Sequence, residues 1–243
     1  MKKSVTPYAN QQDSKKKQVT QMFDGISTNY DFLNRMISLG IDIKWRKRVV
    51  KLLIDKKPET ILDIATGTGD LAIALVETKA AKIVGLDISP GMLSVGKDKV
   101  KEQKLDHTIE MVIGDSEALN YEDHTFDAVT VAFGVRNFEN LTVGLSEIFR
   151  VLKPGGTLVV LETAVPTKFP FKQGYQFHTQ VIVPLMGKLF TRDRAAYKYL
   201  SNSAAVFPHG KDFNNILEKT GFIKVEDNPQ TLGVSSIYCA TKP

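Results

Sequence analysis

The chain is poor in cysteine: Cys239 is the only one among 243 residues. That excludes an intrachain disulfide framework and a cysteine metal cluster. No apolar run reaches the roughly 20 residues that cross a bilayer as a helix. The N-terminus is polar and lysine-rich, without the apolar core of a secretory signal. His, Cys, Asp and Glu show no metal-ligand spacing, so no metal is expected. Internal repeats and low-complexity linkers are lacking too. These absences predict a soluble, cytoplasmic protein.

Acid is in shorter supply than base, with 27 Asp and Glu against 32 Lys and Arg, a formal charge of +5 and a pI near 9.1. The excess is local. It sits at Lys15, Lys16 and Lys17, then at Lys44, Arg46, Lys47, Arg48 and Lys51. Such clusters read as a solvated helix face, as a footprint for an anionic membrane surface, or as a nucleic-acid patch. No RNA-binding signature accompanies them, so a transient membrane contact ranks ahead and no nucleic-acid partner is expected. Nothing in the sequence fixes the oligomeric state, and a homo-oligomer stays open.

What is present is an alternation. A hydrophobic content of 42% is enough for a real core. After a polar tail, residues 14–56 carry helical spacing, with Val19, Met22, Phe23 and Ile26 on one face and Trp45, Val49, Leu52 and Leu53 on another. Strands are expected near 61–65, 83–87, 108–113, 127–133 and 157–163, with helices near 69–78, 90–104 and 141–152. Pro154 is expected to stop the last of these helices, and Gly155 and Gly156 to turn the chain into a buried strand. Apolar strands alternating with helices predict a Rossmann-like α/β sheet, mostly parallel and covered on both faces. Residues 165–207 break the rhythm with concentrated Phe, Tyr and Pro and read as an inserted helical segment. A helix near 210–220 and two closing strands, near 222–227 and 234–241, complete a single domain over 1–243, with residues 1–56 as an N-terminal helical cap.

The chemistry is concentrated at the predicted strand ends. The run Thr60 to Ala72 passes from a strand through Asp63 into a Gly67-Thr68-Gly69 turn and then a helix, and the next strand ends in Asp87. A βαβ unit holds an adenosine in this way: glycines let backbone approach the ligand, and the second-strand acid takes the ribose hydroxyls. The turn alone suits a dinucleotide and S-adenosylmethionine equally. Asp63 breaks the tie, because it would repel a pyrophosphate yet can face the ammonium of a methionine moiety. Thr68 would lie near that moiety's carboxylate or sulfur end. Ser89 is expected to cap the helix begun by Pro90, which frees Asp87 for ribose. Met92 could pack on adenine, and Asp115 and Ser116 could meet its amino group and a ring nitrogen. Ala132 would lie against the cofactor at the end of the fourth strand, with Arg136 and Asn137 projecting toward an acceptor.

This order resembles the class I S-adenosylmethionine-dependent methyltransferases, whose sheet has seven strands and an antiparallel strand at its C-terminal end. Five segments narrow the resemblance: Phe23 to Asn34, Gly40 to Arg46, Leu62 to Asp70, Phe133 to Asn137, and Ala196 to Leu200. Together they look like the ubiquinone/menaquinone biosynthesis C-methyltransferases, from about residue 18 to the end. Two departures stand out: Thr66 replaces a frequent glycine, and Ala132 stands where serine is common. The resemblance implies S-adenosylmethionine as cofactor and methylation of a prenylated quinol, demethylmenaquinol foremost, with a ubiquinone precursor as a second acceptor. It makes Arg136 the candidate stabiliser of an acceptor phenolate, and Asn137 and Tyr30 its orienting groups. His178 is a candidate base, although a lone His among aromatics is more often structural. A sterol-like acceptor, an NAD-dependent oxidoreductase and an RNA-binding module are the alternatives.

Overall fold

The computed structural model describes residues 5–8, 11–183 and 194–243, without the side chains of His178 and Arg194. Its centre is a sheet of β1 (Thr60–Ile64), β2 (Lys82–Asp87), β3 (Ile109–Ile113), β4 (Phe126–Ala132), β5 (Leu152–Thr163), β6 (Ile223–Gln230) and β7 (Ser235–Thr241). The strand order is β3-β2-β1-β4-β5-β7-β6. Strands β1 to β5 pair in parallel, whereas β7 runs antiparallel to both β5 and β6. The central strands are buried along most of their length and mainly apolar, as strands covered on both faces must be.

Helices α4 (Asp70–Ala74), α5 (Pro90–Glu102) and α6 (Leu141–Val151) follow β1, β2 and β4, and α9 (Lys211–Thr220) precedes β6. The chain leaves α6 at Val151 and enters β5 at Leu152, three residues before the expected stop at Pro154. Register causes the early exit, since Leu152 already pairs with Phe126 at the start of β4. Ser89 does cap α5, its hydroxyl accepting from the Met92 amide at 3.1 Å.

The N-terminal helices α1 (Lys15–Ile26) and α2 (Tyr30–Ser38) lie beside the carboxyl ends of the strands, while α3 (Ile41–Ile54) packs its apolar side against the sheet with Ile61, Ala128, Val159 and Ile237. On α3 the buried set is Trp45, Val49, Val50 and Leu53, while Leu52 is exposed, one position off the expected stripe. In the 165–207 segment, α7 (Phe171–Phe177) runs into a π-helical turn, His178–Ile182, and α8 spans Arg194–Val206. Phe190 lies outside the described residues. Tyr197 and Tyr199 of α8 are buried with Val19, Met22, Ile26 and Met92, which ties this segment to α1 and α5.

The parallel order reverses direction between β1 and β4, and crevices at such switch points take ligands. Both strands end in left-handed, non-glycine residues, Ala65 at φ +53° and Phe133 at φ +57°. Backbone held in this region costs energy and gathers at functional sites. A Cβ on Gly134 would come within 2.5 Å of the Ala65 Cβ, so only glycine lets the two strained ends approach.

Candidate active site

Among the described residues, two of the cavities at this edge bear on the site. The first encloses about 670 Å³ and is lined by residues from the ends of β1, β2 and β4, from the segment after β3, and from α1. The second encloses about 900 Å³ beneath α2, α3, α7 and α8. Tyr30 and Phe133 line both, so the cavities meet at those two rings.

The first cavity gathers Gly67, Asp87, Met92, Asp115, Ser116 and Ala132 from the sequence-based set. Gly67, at φ +59°, turns its amide onto the Asp87 carboxylate at 2.8 Å. The other Asp87 oxygen accepts from the Ser89 amide at 2.8 Å. Burial pushes the Asp87 carboxyl up to about 6 against these bonds, and the nearby Asp24 pushes it the same way. Asp115 holds Lys16 at 2.6 Å and accepts from the Glu117 amide at 2.9 Å.

Asp63, Thr68 and Gly69 do not line the cavity wall. Asp63 sits one layer below the loop, where its oxygens accept from the Thr66 hydroxyl at 2.6 Å and the Thr130 hydroxyl at 2.7 Å. Desolvation raises its carboxyl to about 6, and the two hydroxyls oppose the rise. Thr66, the departure at the glycine turn, thus has a structural use. The Thr68 hydroxyl donates to Asp31 on α2 at 2.5 Å, and Gly69, at φ +80°, opens α4.

Around the second cavity the decisive group is Arg136. It is almost wholly buried and paired with Glu162, itself fully buried at the end of β5, at 2.5 Å. The Glu162 charge holds the guanidinium above its ordinary pKa against desolvation. Among the described residues its Nε has no hydrogen-bond partner, an expensive state for a buried donor. Burial raises the Tyr30 phenol, while Arg136 and Arg46 draw it back. Asn137 lies on the first cavity rather than the second. Its amide donates to the Phe133 carbonyl at 3.3 Å and accepts from the Tyr199 hydroxyl at 3.2 Å. The side chain of His178 is outside the described residues.

Several functional neighbours have no local sequence signal. Phe133 lies between two guanidinium groups, with the Arg46 and Arg136 Cζ atoms each 5.9 Å from its centroid. Asp24 of α1 accepts from the Ser89 hydroxyl at 2.6 Å and the Gly91 amide at 2.8 Å, which fastens the cap to the adenosine end. The basic clusters also divide. The Lys15 ammonium donates to the Arg136 and Phe138 carbonyls, Lys16 is held by Asp115, and Arg46 turns inward onto Asp42. Lys44, Lys47, Arg48 and Lys51 stay exposed.

The strand order, the glycine turn after β1 and the acid ending β2 define a class I S-adenosylmethionine-dependent methyltransferase. Solved structures agree on the fold. A methyltransferase of Thermotoga maritima superposes with a TM-score of 0.65 at 18% identity, covering 92% of this chain and 99% of that one. One of Methanococcus maripaludis gives a TM-score of 0.60 at 21% identity, covering 97% and 96%. The sequence profile of the ubiE/COQ5 methyltransferase family matches residues 11–242, and the chain belongs to that family. The demethylmenaquinone methyltransferase of Bacteroides fragilis is 45% identical over 98% of this chain and 97% of its own. The ubiquinone/menaquinone biosynthesis C-methyltransferase UbiE of Geobacter sulfurreducens is 40% identical over 94% and 90%.

The residues present fit the cofactor. A buried carboxylate ends β2 beside a glycine turn that presents backbone, and the cleft between them has an apolar wall from Met92, Val19 and Leu86. Asp87 would hold the ribose, Asp115 and Ser116 the adenine edge, and the Gly67 turn with Ala132 the methionine portion.

Proposed function

We propose that this enzyme methylates a ring carbon of a prenylated quinol, with demethylmenaquinol as the acceptor and a ubiquinol precursor as a second one. The observation that carries this reading is a buried guanidinium with a free donor, Arg136, in a cavity walled by Trp45, Phe133, Tyr175, Val183 and Leu200 that joins the cofactor cleft. The names of the similar curated enzymes support it.

When bound, S-adenosylmethionine supplies an electrophilic methyl, so the protein's task is to align the ring and enrich its carbon. A phenol has a pKa near 10 and is scarcely ionised at neutral pH. The Arg136 guanidinium stabilises the phenolate as charge develops on the oxygen beside the reacting carbon. Glu162 fixes that guanidinium, and Tyr30 is a neutral hydroxyl that orients the quinol. Asn137 acts one step back by holding the Phe133 carbonyl and so the ring dividing the cavities. The phenol's proton leaves to water; once the ring carbon has taken the methyl and S-adenosylhomocysteine is released, that carbon loses its own proton to water, which restores the aromatic ring.

Helix α3 supports a membrane contact. Its inner side lines the acceptor cavity through Asp42, Trp45 and Arg46, while its outer side carries Lys44, Lys47 and Lys51. Among the described residues no helix is long and apolar enough to cross a membrane. A cytoplasmic enzyme touching an anionic bilayer through this face would meet an acceptor that resides in lipid.

The test is anaerobic incubation with methyl-labelled S-adenosylmethionine and three acceptors: demethylmenaquinol, a demethylated ubiquinol precursor and a sterol. Label on a quinol ring carbon is expected. Label on the sterol alone would overturn the reading. Binding to anionic vesicles should fall as salt rises. Equal binding to neutral vesicles would remove the membrane contact.

A further inference from the structure

The methionine end of the cofactor carries a carboxylate that is ionised at any neutral pH. Taken out of water it needs a cation or several donors. Among the described residues, the cofactor cleft's lining offers one cation, Lys16, at the adenine end and already held by Asp115 at 2.6 Å. A free cation for the carboxylate must therefore come from beyond that lining.

Arg46 meets the requirements. It projects from α3 over the ring of Phe133, which borders both cavities. One end of its guanidinium is 4.0 Å from Asp70, the residue that follows the Gly67–Gly69 turn. The rest of the group is anchored on Asp42, which Arg35 and Ser38 also bind. Its Nε is buried and has no hydrogen-bond partner among the described residues. The side chain is thus fixed at the methionine end of the glycine turn with a donor unused. Tyr30, at the same junction, feels the positive charge of Arg46 as well as that of Arg136.

We propose that Arg46 is the cofactor-binding residue that holds the methionine carboxylate of S-adenosylmethionine where the two cavities meet. The competing use, a contact with the acceptor, is weaker on charge. A quinol is neutral until it ionises, and Arg136 already faces it, whereas the carboxylate is a permanent anion and the cation in the cleft lining, Lys16, is taken by Asp115. The proposal rests on the cofactor and not on the identity of the acceptor. It also accounts for the ion-pair network of Arg35, Arg46 and Lys99 with Asp31, Asp42 and Asp70, which holds α2 and α3 rigidly against the glycine turn.

Calorimetry without acceptor tests it, with S-adenosylmethionine and decarboxylated S-adenosylmethionine as titrants. The wild type should prefer the carboxylate-bearing ligand by about 10- to 150-fold, the span of one charged hydrogen-bond contact. In Arg46→Met that preference should vanish while affinity for the decarboxylated ligand is kept. Arg46→Lys should retain part of it, since a point charge lacks the planar fork, and carries the test if Arg46→Met does not fold. Equal binding of both ligands by the wild type overturns the proposal, as does full preference in the variants. A loss shared by both ligands would make Arg46 only a strut of the network. Intact preference with a raised KM for the quinol would assign it to the acceptor instead.

Discussion

The two cavities are built from different material. The cofactor cleft is built largely at strand ends and the turns that follow them: a left-handed glycine turn, the ends of β1, β2 and β4, and carboxylates that already accept backbone amides. The acceptor cavity is made of side chains from helices far apart in sequence, held by a buried ion pair and a network of charges. Backbone geometry is set locally and tolerates side-chain change around it. A wall of side chains depends on each tertiary contact, so specificity can alter there while the cofactor site is kept.

The largest effect that would break this contrast is on catalysis. Arg136→Ala is a poor probe, because it strands the buried Glu162 carboxylate, and breaking such a pair costs about 3–5 kcal/mol of stability. The paired variant Arg136→Met with Glu162→Gln removes both charges together. Methyl transfer should fall by about 10²- to 10³-fold, as when one preorganised electrostatic donor is lost, with cofactor affinity unchanged by calorimetry. Raising the pH toward the phenol pKa should restore part of the rate. Normal turnover in the paired variant would remove Arg136 from catalysis. A loss confined to cofactor binding would show that the two cavities are one site.

Next in size is the cofactor cleft itself. Asp87→Ala removes the acceptor for two backbone amides and for the ribose hydroxyls. S-adenosylmethionine affinity should fall by about 10- to 150-fold in calorimetry. Rate at saturating cofactor should change far less. Unchanged affinity in a folded variant would exclude Asp87 from the cleft.

The same contrast explains what the sequence reveals. Asp87, Gly67, Ser89 and the strand order are legible because a strand end, a tight turn and a helix cap each have a local signature. Arg136 is legible as an acceptor-facing residue from its strand end, but its partner Glu162, at the end of the next strand, is not legible at all. Lys16 and Arg46 read as surface charge along the chain because periodicity cannot tell a solvated cation from one folded onto a distant carboxylate. Asp63 shows the reverse limit. Its place in the motif suggests ligand contact, yet the Thr66 and Thr130 hydroxyls engage both its oxygens.

Asp63 supplies the third test, on stability. Its carboxyl titrates near 6 in the fold and near its ordinary value when unfolded. Below both values the proton is bound in either state and nothing is lost. As pH rises from about 4 to about 6, the unfolded chain releases the proton first, so the native state loses stability, and the loss is complete above about 6. Asp63→Asn can bond both threonine hydroxyls, one as acceptor and one as donor, without a charge. It should match the wild type at pH 4 and exceed it by about 2–3 kcal/mol at pH 7 in urea unfolding. A difference independent of pH would mean that Asp63 keeps its charge at little cost.

The smallest expected effect joins the two regions. Asp24 lies on α1, whose Lys16, Val19 and Phe23 wall the cofactor cleft, and its carboxylate holds Ser89 and Gly91 at the start of α5. Asp24→Ala releases those bonds and leaves the cleft lining untouched. At pH 8 cofactor affinity should fall by about two- to tenfold, the worth of an ordinary hydrogen bond or slightly more, and protease cleavage within α1 should quicken. Near pH 6 the deficit should narrow. Asp24 is one of the charges that raise the Asp87 carboxyl to about 6, so its removal lets Asp87 ionise at lower pH and recover ribose-binding charge that the wild type has begun to lose. Affinity and cleavage both unchanged at pH 8 would show that the cap rests on the cofactor region without controlling it. A deficit that stays constant down to pH 6 would show that Asp24 acts through its hydrogen bonds alone.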